Sequence, residues 1–535
     1  MDVSVKNNQK MLKRRNIIII VISLACCVAL AMFYATAYRS HILWQEQNQI
    51  FLNTSHWIAT YFSKPAWLGC LSGDWLTQYF HNPAAGAVIL TLVIAYCTVC
   101  FAIGVRRMFP VTATSVLSCL FAILLIACSM TASTTMSFFM CVAGGLTLGL
   151  ARVQIRYGKK HGLDISPLLV IPAYWSFGFG ALISAAFMIA FSSKRALQDR
   201  GDRSLWLSAL CAAVFAAATP AALCGFYALP YAKGLLYPGI SEPSFPDFEH
   251  EERLAIADAF FSGNHERAKQ LALNAASPND ISAFYYYLSS ALQDSLPDNL
   301  LKYEVKSLGT LTTIGDKTPL PVINMMNDLY YELGDMTYAE RAAMMRNVFS
   351  PRNRNVRMIR RLAEINLVSG DTLAALKYLR ILGRTHAYAE WSREHMPGKA
   401  YAEVESEIAR RRALSNSKDN IRLGDNCRNI LLELLESNPK NIVALDYLLC
   451  TDLLLKDMDT FKMDYDTYCM SKGSPRYKDL YQEALMIYLA GTEASQEEWD
   501  RYVVPGPLFE SFRRYSSRRG DPAFRGTYWY YFDKQ

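Results

Sequence analysis

Charged side chains are missing from the long apolar runs in the first 232 residues of this 535-residue chain. No Asp, Glu, Lys or Arg interrupts 17–37, 83–104, 110–130, 131–151, 165–193 or 204–232. Ion-coupled transporters and proton relays carry such groups inside their spans, so their absence here argues against that class. A phosphate-cradling glycine loop, a zincin helix and a nucleophile elbow are missing too. No metal, cofactor or catalytic constellation is therefore expected from motifs. Thirteen cysteines are present, but ten lie in the apolar half, where a thiol packs as a small hydrophobe. Cys97-Thr-Val-Cys100 has redox spacing without a neighbouring charge to stabilise a thiolate, and reads as packing. The other three, Cys427, Cys450 and Cys469, are odd in number and irregularly spaced, so neither a disulfide framework nor a zinc site follows.

What is present divides the chain in two. Residues 1–232 hold 17 Lys and Arg against 6 Asp and Glu; the remainder is slightly acidic. A basic excess confined to the flanks of apolar runs fits membrane orientation rather than nucleic acid, which calls for a basic soluble surface. The expected partners are thus the lipid bilayer and a protein or peptide, not nucleic acid. Each uncharged run reaches about 20 residues, the length that crosses a hydrocarbon core. With Lys13-Arg14-Arg15 inside, Arg106-Arg107 and the Arg152, Arg156, Lys159, Lys160 cluster also fall inside after four spans. The 165–193 run, broken by Pro172 and Gly178-Phe179-Gly180, reads as a re-entrant pair of short helices. Arg195 and its neighbours then stay inside, and the last span, 204–232, delivers the tail to the outer side. Ala35-Thr36-Ala37 resembles a signal-peptidase site, but the further spans favour a retained anchor.

The 39–83 loop carries four of the nine tryptophans, Trp44, Trp57, Trp67 and Trp75, and is expected to form short helices on the outer membrane surface. Its His41, His56 and His81 match no compact metal-ligand spacing. Beyond the Pro-rich connector 237–247, apolar residues recur at helical spacing. A glycine followed five positions later by alanine appears at Gly263 and Ala268, Gly334 and Ala339, and Gly370 and Ala375. Gly334 and Gly370 are 36 residues apart, and Gly263 lies about two such units upstream. A glycine permits the tight turn, and an alanine lets two antiparallel helices approach. This pattern resembles a tetratricopeptide repeat. Glu403–Arg412 reads as a solvated charged helix rather than an anion site, and the terminal Tyr528-Trp529-Tyr530-Tyr531-Phe532 as a cap.

Trp44-Gln45-Glu46-Gln47, Leu76-Thr77-Gln78-Tyr79-Phe80 and the Thr527-Tyr528-Trp529-Tyr530-Tyr531 terminus occur together with the repeat tail. In this the chain is similar to an uncharacterised bacterial family of multipass membrane proteins with a tetratricopeptide-like tail. That resemblance implies no activity. The expected fold is all-α: a polytopic bundle over 1–236 with the outer loop at 39–83, the connector, a tetratricopeptide-like α-solenoid over 248–498, and an aromatic cap over 499–535. The expected setting is the bacterial plasma membrane with the tail extracytoplasmic. Two functions fit. One is a scaffold whose repeat groove binds a protein or peptide. The alternative is a polyprenyl-linked glycosyl or glycan transferase. There Glu46 or Asp74 would act as general base or hold a divalent ion, with Gln47 and Gln78 on the substrate.

Overall fold

The computed structural model describes residues 2–157, 166–198, 203–303, 311, 320–350, 353–416, 427–471, 476–502 and 504–534, with side chains from 17 onward and none over 152–157. Lys13 to Arg15, Arg152 to Lys160 and Arg200 therefore lie outside the described side chains. The chain is all-helical, with no strand among the described residues. It forms two compact units: residues 1–248 with 384–389, and residues 249–383 with 390–535.

The first unit holds α1 (Asp2–Thr36), the loop helices α2 (Arg39–Gln47), α3 (Ser55–Ala59) and α4 (Trp67–Thr77), then α5 (Pro83–Arg106), α6 (Val111–Ser129) and α7 (Met136–Tyr157). It continues with α8 (Val170–Phe177), α9 (Gly180–Gln198), α10 (Arg203–Tyr227) and α11 (Tyr231–Leu235). Five of these are long and apolar enough to cross a membrane: α1 from Ile17, α5, α6, α9 and α10. Their outward faces are bare hydrocarbon, Ile17 to Ile22 of α1 being 54–65% exposed, which in this composition is a surface for lipid. Local chemistry fixes the ends. Asn82 caps α5 by accepting from Ala84 N and Ala85 N, and Pro83 supplies the first turn.

The run at 131–151 departs from the expected span. Thr134 Oγ1 donates to the Cys128 carbonyl at 2.6 Å, which holds a turn, and α7 begins only at Met136. Its apolar part, Met136–Ala151, is shorter than the five spans, yet it is the most enclosed helix of the bundle. The 165–193 run breaks at Gly178, where φ is +53°, into the 8-residue α8 and the 19-residue α9. The expected break is there, with a longer second limb. Gly145 of α7 meets the Gly180 carbonyl, and Gly149 meets Phe187, so the small-residue stripe of α7 is the seat of α9.

The two ends of this bundle differ. At one, Lys194 Nζ donates to the carbonyls of Arg107 and Met108, a cation closing the C-terminus of α5. At the other, the connector crosses the bundle. Tyr174 Oη donates to the Gly234 carbonyl at 2.6 Å, Ser244 N to Ala127 O at 3.0 Å, and Asp247 N to Tyr38 Oη at 3.3 Å. The chain thus leaves the bundle at the end where α1 finishes and the loop begins. The loop is packed there, not loose: Gly69 and Gly73 of α4 press on Cys141 and Ser137 of α7.

The second unit opens with α12 (Phe248–Phe261), α13 (His265–Leu273), α14 (Asp280–Leu292) and α15 (Leu296–Asn299). Next come α16 (Leu320–Leu333), α17 (Met336–Val348), α18 (Val356–Ser369), α19 (Thr372–Leu382), α20 (Ala389–Glu394) and α21 (Ala402–Leu414). It ends with α22 (Cys427–Ser437), α23 (Ile442–Leu455), α24 (Met458–Tyr465), α25 (Asp479–Gly491), α26 (Gln496–Arg501), α27 (Gly506–Ser517) and α28 (Tyr528–Asp533). Gly263, Gly334 and Gly370 adopt φ of +79°, +98° and +84°, a region costly for any residue with a Cβ. The alanines five positions on, Ala268, Ala339 and Ala375, are completely buried. Asn264, Asp335 and Asp371 cap the helix after each of these turns. The C-terminal aromatics pack inward: Tyr528 is buried in the main core of the unit and Trp529 beside Met486 and Tyr515.

Candidate functional site

The second unit carries an open cleft of about 320 Å³ walled by the α12–α13 turn, α16, α18 and α21. A second lobe of about 290 Å³ continues past Leu367, His395 and Ile408, which line both. The wall on α18 comes from helical spacing, since Arg360, Glu364 and Leu367 fall at i, i+4 and i+7. Asn355 starts this helix by accepting from Met358 N at 2.9 Å.

Buried guanidiniums need both charge and hydrogen-bond partners, and the wall supplies them. Asp328, fully buried on α16, accepts from Arg357 at 2.9 Å, Arg361 at 3.0 Å and Tyr285 Oη at 3.0 Å. Glu364 takes Arg360 at 3.0 Å and Arg361 at 3.2 Å. Burial pushes the Glu364 carboxyl up, but the guanidiniums of Arg360 and Arg361 pull it below its ordinary value overall. Rings fill the gaps between cations. Trp391, Arg360, Phe261, Arg361, Tyr331 and Arg411 alternate as a ladder, with guanidinium-to-ring separations of 4.0–5.2 Å. Arg361 Nε and His265 Nδ1 stay buried without a hydrogen-bond partner. Burial lowers the pKa of both His265 and His395, so these imidazoles are neutral at pH 7. The wall is thus charged and aromatic, with Asp328 and Glu364 holding the guanidiniums of Arg357, Arg360 and Arg361.

The residues expected from the loop lie elsewhere, in the first unit. Asp74 on α4 is 5% exposed, and its carboxylate accepts from Tyr61 Oη at 2.7 Å and Ser137 Oγ at 3.2 Å. Glu46 on α2 is equally enclosed and accepts from Tyr388 Oη at 3.0 Å, within the same unit. Gln47 and Gln78 are half-buried; the Gln78 carbonyl is bonded to His81 Nδ1 at 3.0 Å. Among the described residues no three or more His, Cys, Asp or Glu side chains gather to hold a metal ion. Sequence reasoning passed over the α18 wall, although Arg357, Arg360, Arg361 and Glu364 at helical spacing were its visible signal. It also read Arg411 as solvated, whereas that side chain is 14% exposed and paired with Glu332 at 2.8 Å.

One family accounts for both units. Residues 13–535 match the family of unknown function DUF6057. The chain belongs to that family. No curated protein and no solved structure matches it. Membership covers bundle, loop, cleft and C-terminal aromatics alike, so the helical tail is part of the family's own architecture and not a graft peculiar to this chain.

Proposed function

We propose that this DUF6057 protein is a membrane-anchored binding protein whose tail, a tetratricopeptide-like α-solenoid, holds a protein or peptide partner in the two-lobed cleft. The observation that carries the reading is the cleft itself, deep enough for side chains and walled by aromatic rings and fixed charges on rigid helices. The repeated glycine turns and buried alanines support the solenoid reading, because such arrays bury their core between stacked neighbours and leave one face for a ligand. The setting we infer is a bacterial plasma membrane with the tail extracytoplasmic. Arg107 and Lys194 mark one end of the bundle and the connector leaves from the other, in keeping with cations facing the cytoplasm. The transferase alternative keeps Glu46 and Asp74 as its acids, supported by two enclosed carboxylates in one loop.

Photo-crosslinking in native membranes tests the binding role. A photoreactive residue at Ser262 or Thr372, both exposed on the cleft, should give one discrete adduct, and one at exposed Glu497 on α26 should not. Equal labelling from all three positions, or none from the cleft, would refute the assignment.

A further inference from the structure

One wall of the cleft, α21, is held differently from the rest. Helix α21 runs 13 residues without one buried side chain. It lines the cleft with Glu403, Val404, Glu407, Ile408 and Arg411, among which Val404, Ile408 and Arg411 are spaced i, i+4 and i+7. Its hold is polar and lies at its C-terminal end. Arg411 pairs with Glu332 at 2.8 Å and lies 4.5 Å from the Tyr331 ring centroid. Arg412 donates to the carbonyls of Val368 and Leu367 at 2.8 and 2.7 Å, filling the open C-terminus of α18. Before α21 the chain turns at Gly398, with φ +73° and open space around it. Cavity therefore lies beneath a helix tied down at one end and hinged near the other.

We infer that α21 is a displaceable lid that mimics the ligand, and that the cleft takes a helical peptide with apolar residues at i and i+4 and adjacent arginines at i+7 and i+8. The inference rests on the cleft-binding reading and names its ligand class. Charge argues for that occupant. With α21 lifted, the Glu332 carboxylate, 5% exposed, and the α18 carbonyls all lose their cations. Glu332, enclosed while α21 is in place, would then face the opened cleft without its guanidinium partner. A partner bearing two neighbouring guanidiniums restores each of those bonds.

The test uses the full chain in lipid nanodiscs, with hydrogen exchange and a fluorescent synthetic peptide of residues 402–414 as the probe. In Arg411→Gln/Arg412→Gln, exchange across α21 should rise about tenfold while α16 and α18 stay protected. The probe should bind that variant about tenfold more tightly than the wild type, because the lid no longer competes. The same peptide carrying alanine at both arginine positions should not bind. The swapped pair Glu332→Arg with Arg411→Glu should restore lid protection and weaken the probe again. Unchanged α21 exchange, exchange that rises equally in α16 and α18, or failure of the swap to restore protection would overturn the lid. A mobile α21 with no probe binding would overturn the ligand class. Cleft-specific crosslinks surviving either result would leave the binding role standing.

Discussion

Glu483 on α25 shows how one side chain ties the chain's end to its core. Its Oε2 accepts from Tyr528 N at 2.6 Å, and its carbonyl accepts from the Trp529 indole at 3.0 Å. Burial raises its carboxyl from the ordinary 4.5 to about 7. The folded state therefore keeps a proton that the unfolded chain loses. Below about pH 4.5 both states are protonated and the group is neutral to stability. Between about pH 4.5 and 7 stability falls, and above about pH 7 the full loss, about 3 kcal/mol, is in place. Glu483→Gln keeps an acceptor for Tyr528 and removes the titration. Its melting temperature should match wild type near pH 4.5 and exceed it at pH 8; an offset independent of pH would sink this account. The inward packing of Tyr528 and Trp529 could be read from the sequence, because a run of aromatics at a terminus is a liability unless covered. Glu483 could not. A lone glutamate among Leu480, Tyr481, Ala484 and Leu485 carries no pattern until Tyr528 arrives from 45 residues away.

At the scale of elements, glycines decide how closely helices pass. A Cβ on Gly145 would collide with the Gly180 backbone, whereas one on Gly149 would meet Phe187 Cβ at 3.2 Å. Backbone cannot rotate aside as a side chain can. Gly145→Ala should therefore destabilise the bundle by about 1–3 kcal/mol and Gly149→Ala by under about 1 kcal/mol. Denaturant unfolding in detergent reads the difference, and equal losses would contradict this packing. The stripe was legible as Gly-x-x-x-Gly, and the helix break at Gly178 as a Gly-Phe-Gly step. The start of α7 was not, because Thr131 to Thr135 carry no charge or proline. A turn made by the Thr134 hydroxyl looks, to a hydropathy window, like more membrane. Helix α21 failed for the opposite reason. Its composition is that of a solvated helix, and only its stripe of Val404, Ile408 and Arg411 betrays a docked face.

For the whole molecule, charge and connection point the same way. Five helices are long and apolar enough to cross, Lys194 closes α5 beside Arg107, and the connector departs beside Tyr38 and Ala127. Hydropathy alone revealed the apolar half, and glycine spacing the turns at Gly263, Gly334 and Gly370. Neither could reveal the cleft, whose wall joins residues from Phe260 to Arg411. The proposal on which the setting depends is that the helical tail is extracytoplasmic. Paired reporters fused after Gln535 test it most directly, one active only outside the cytoplasm and one fluorescent only within it. The account expects the outside reporter to be active and the inside one dark; a fluorescent, enzymatically silent fusion would contradict it.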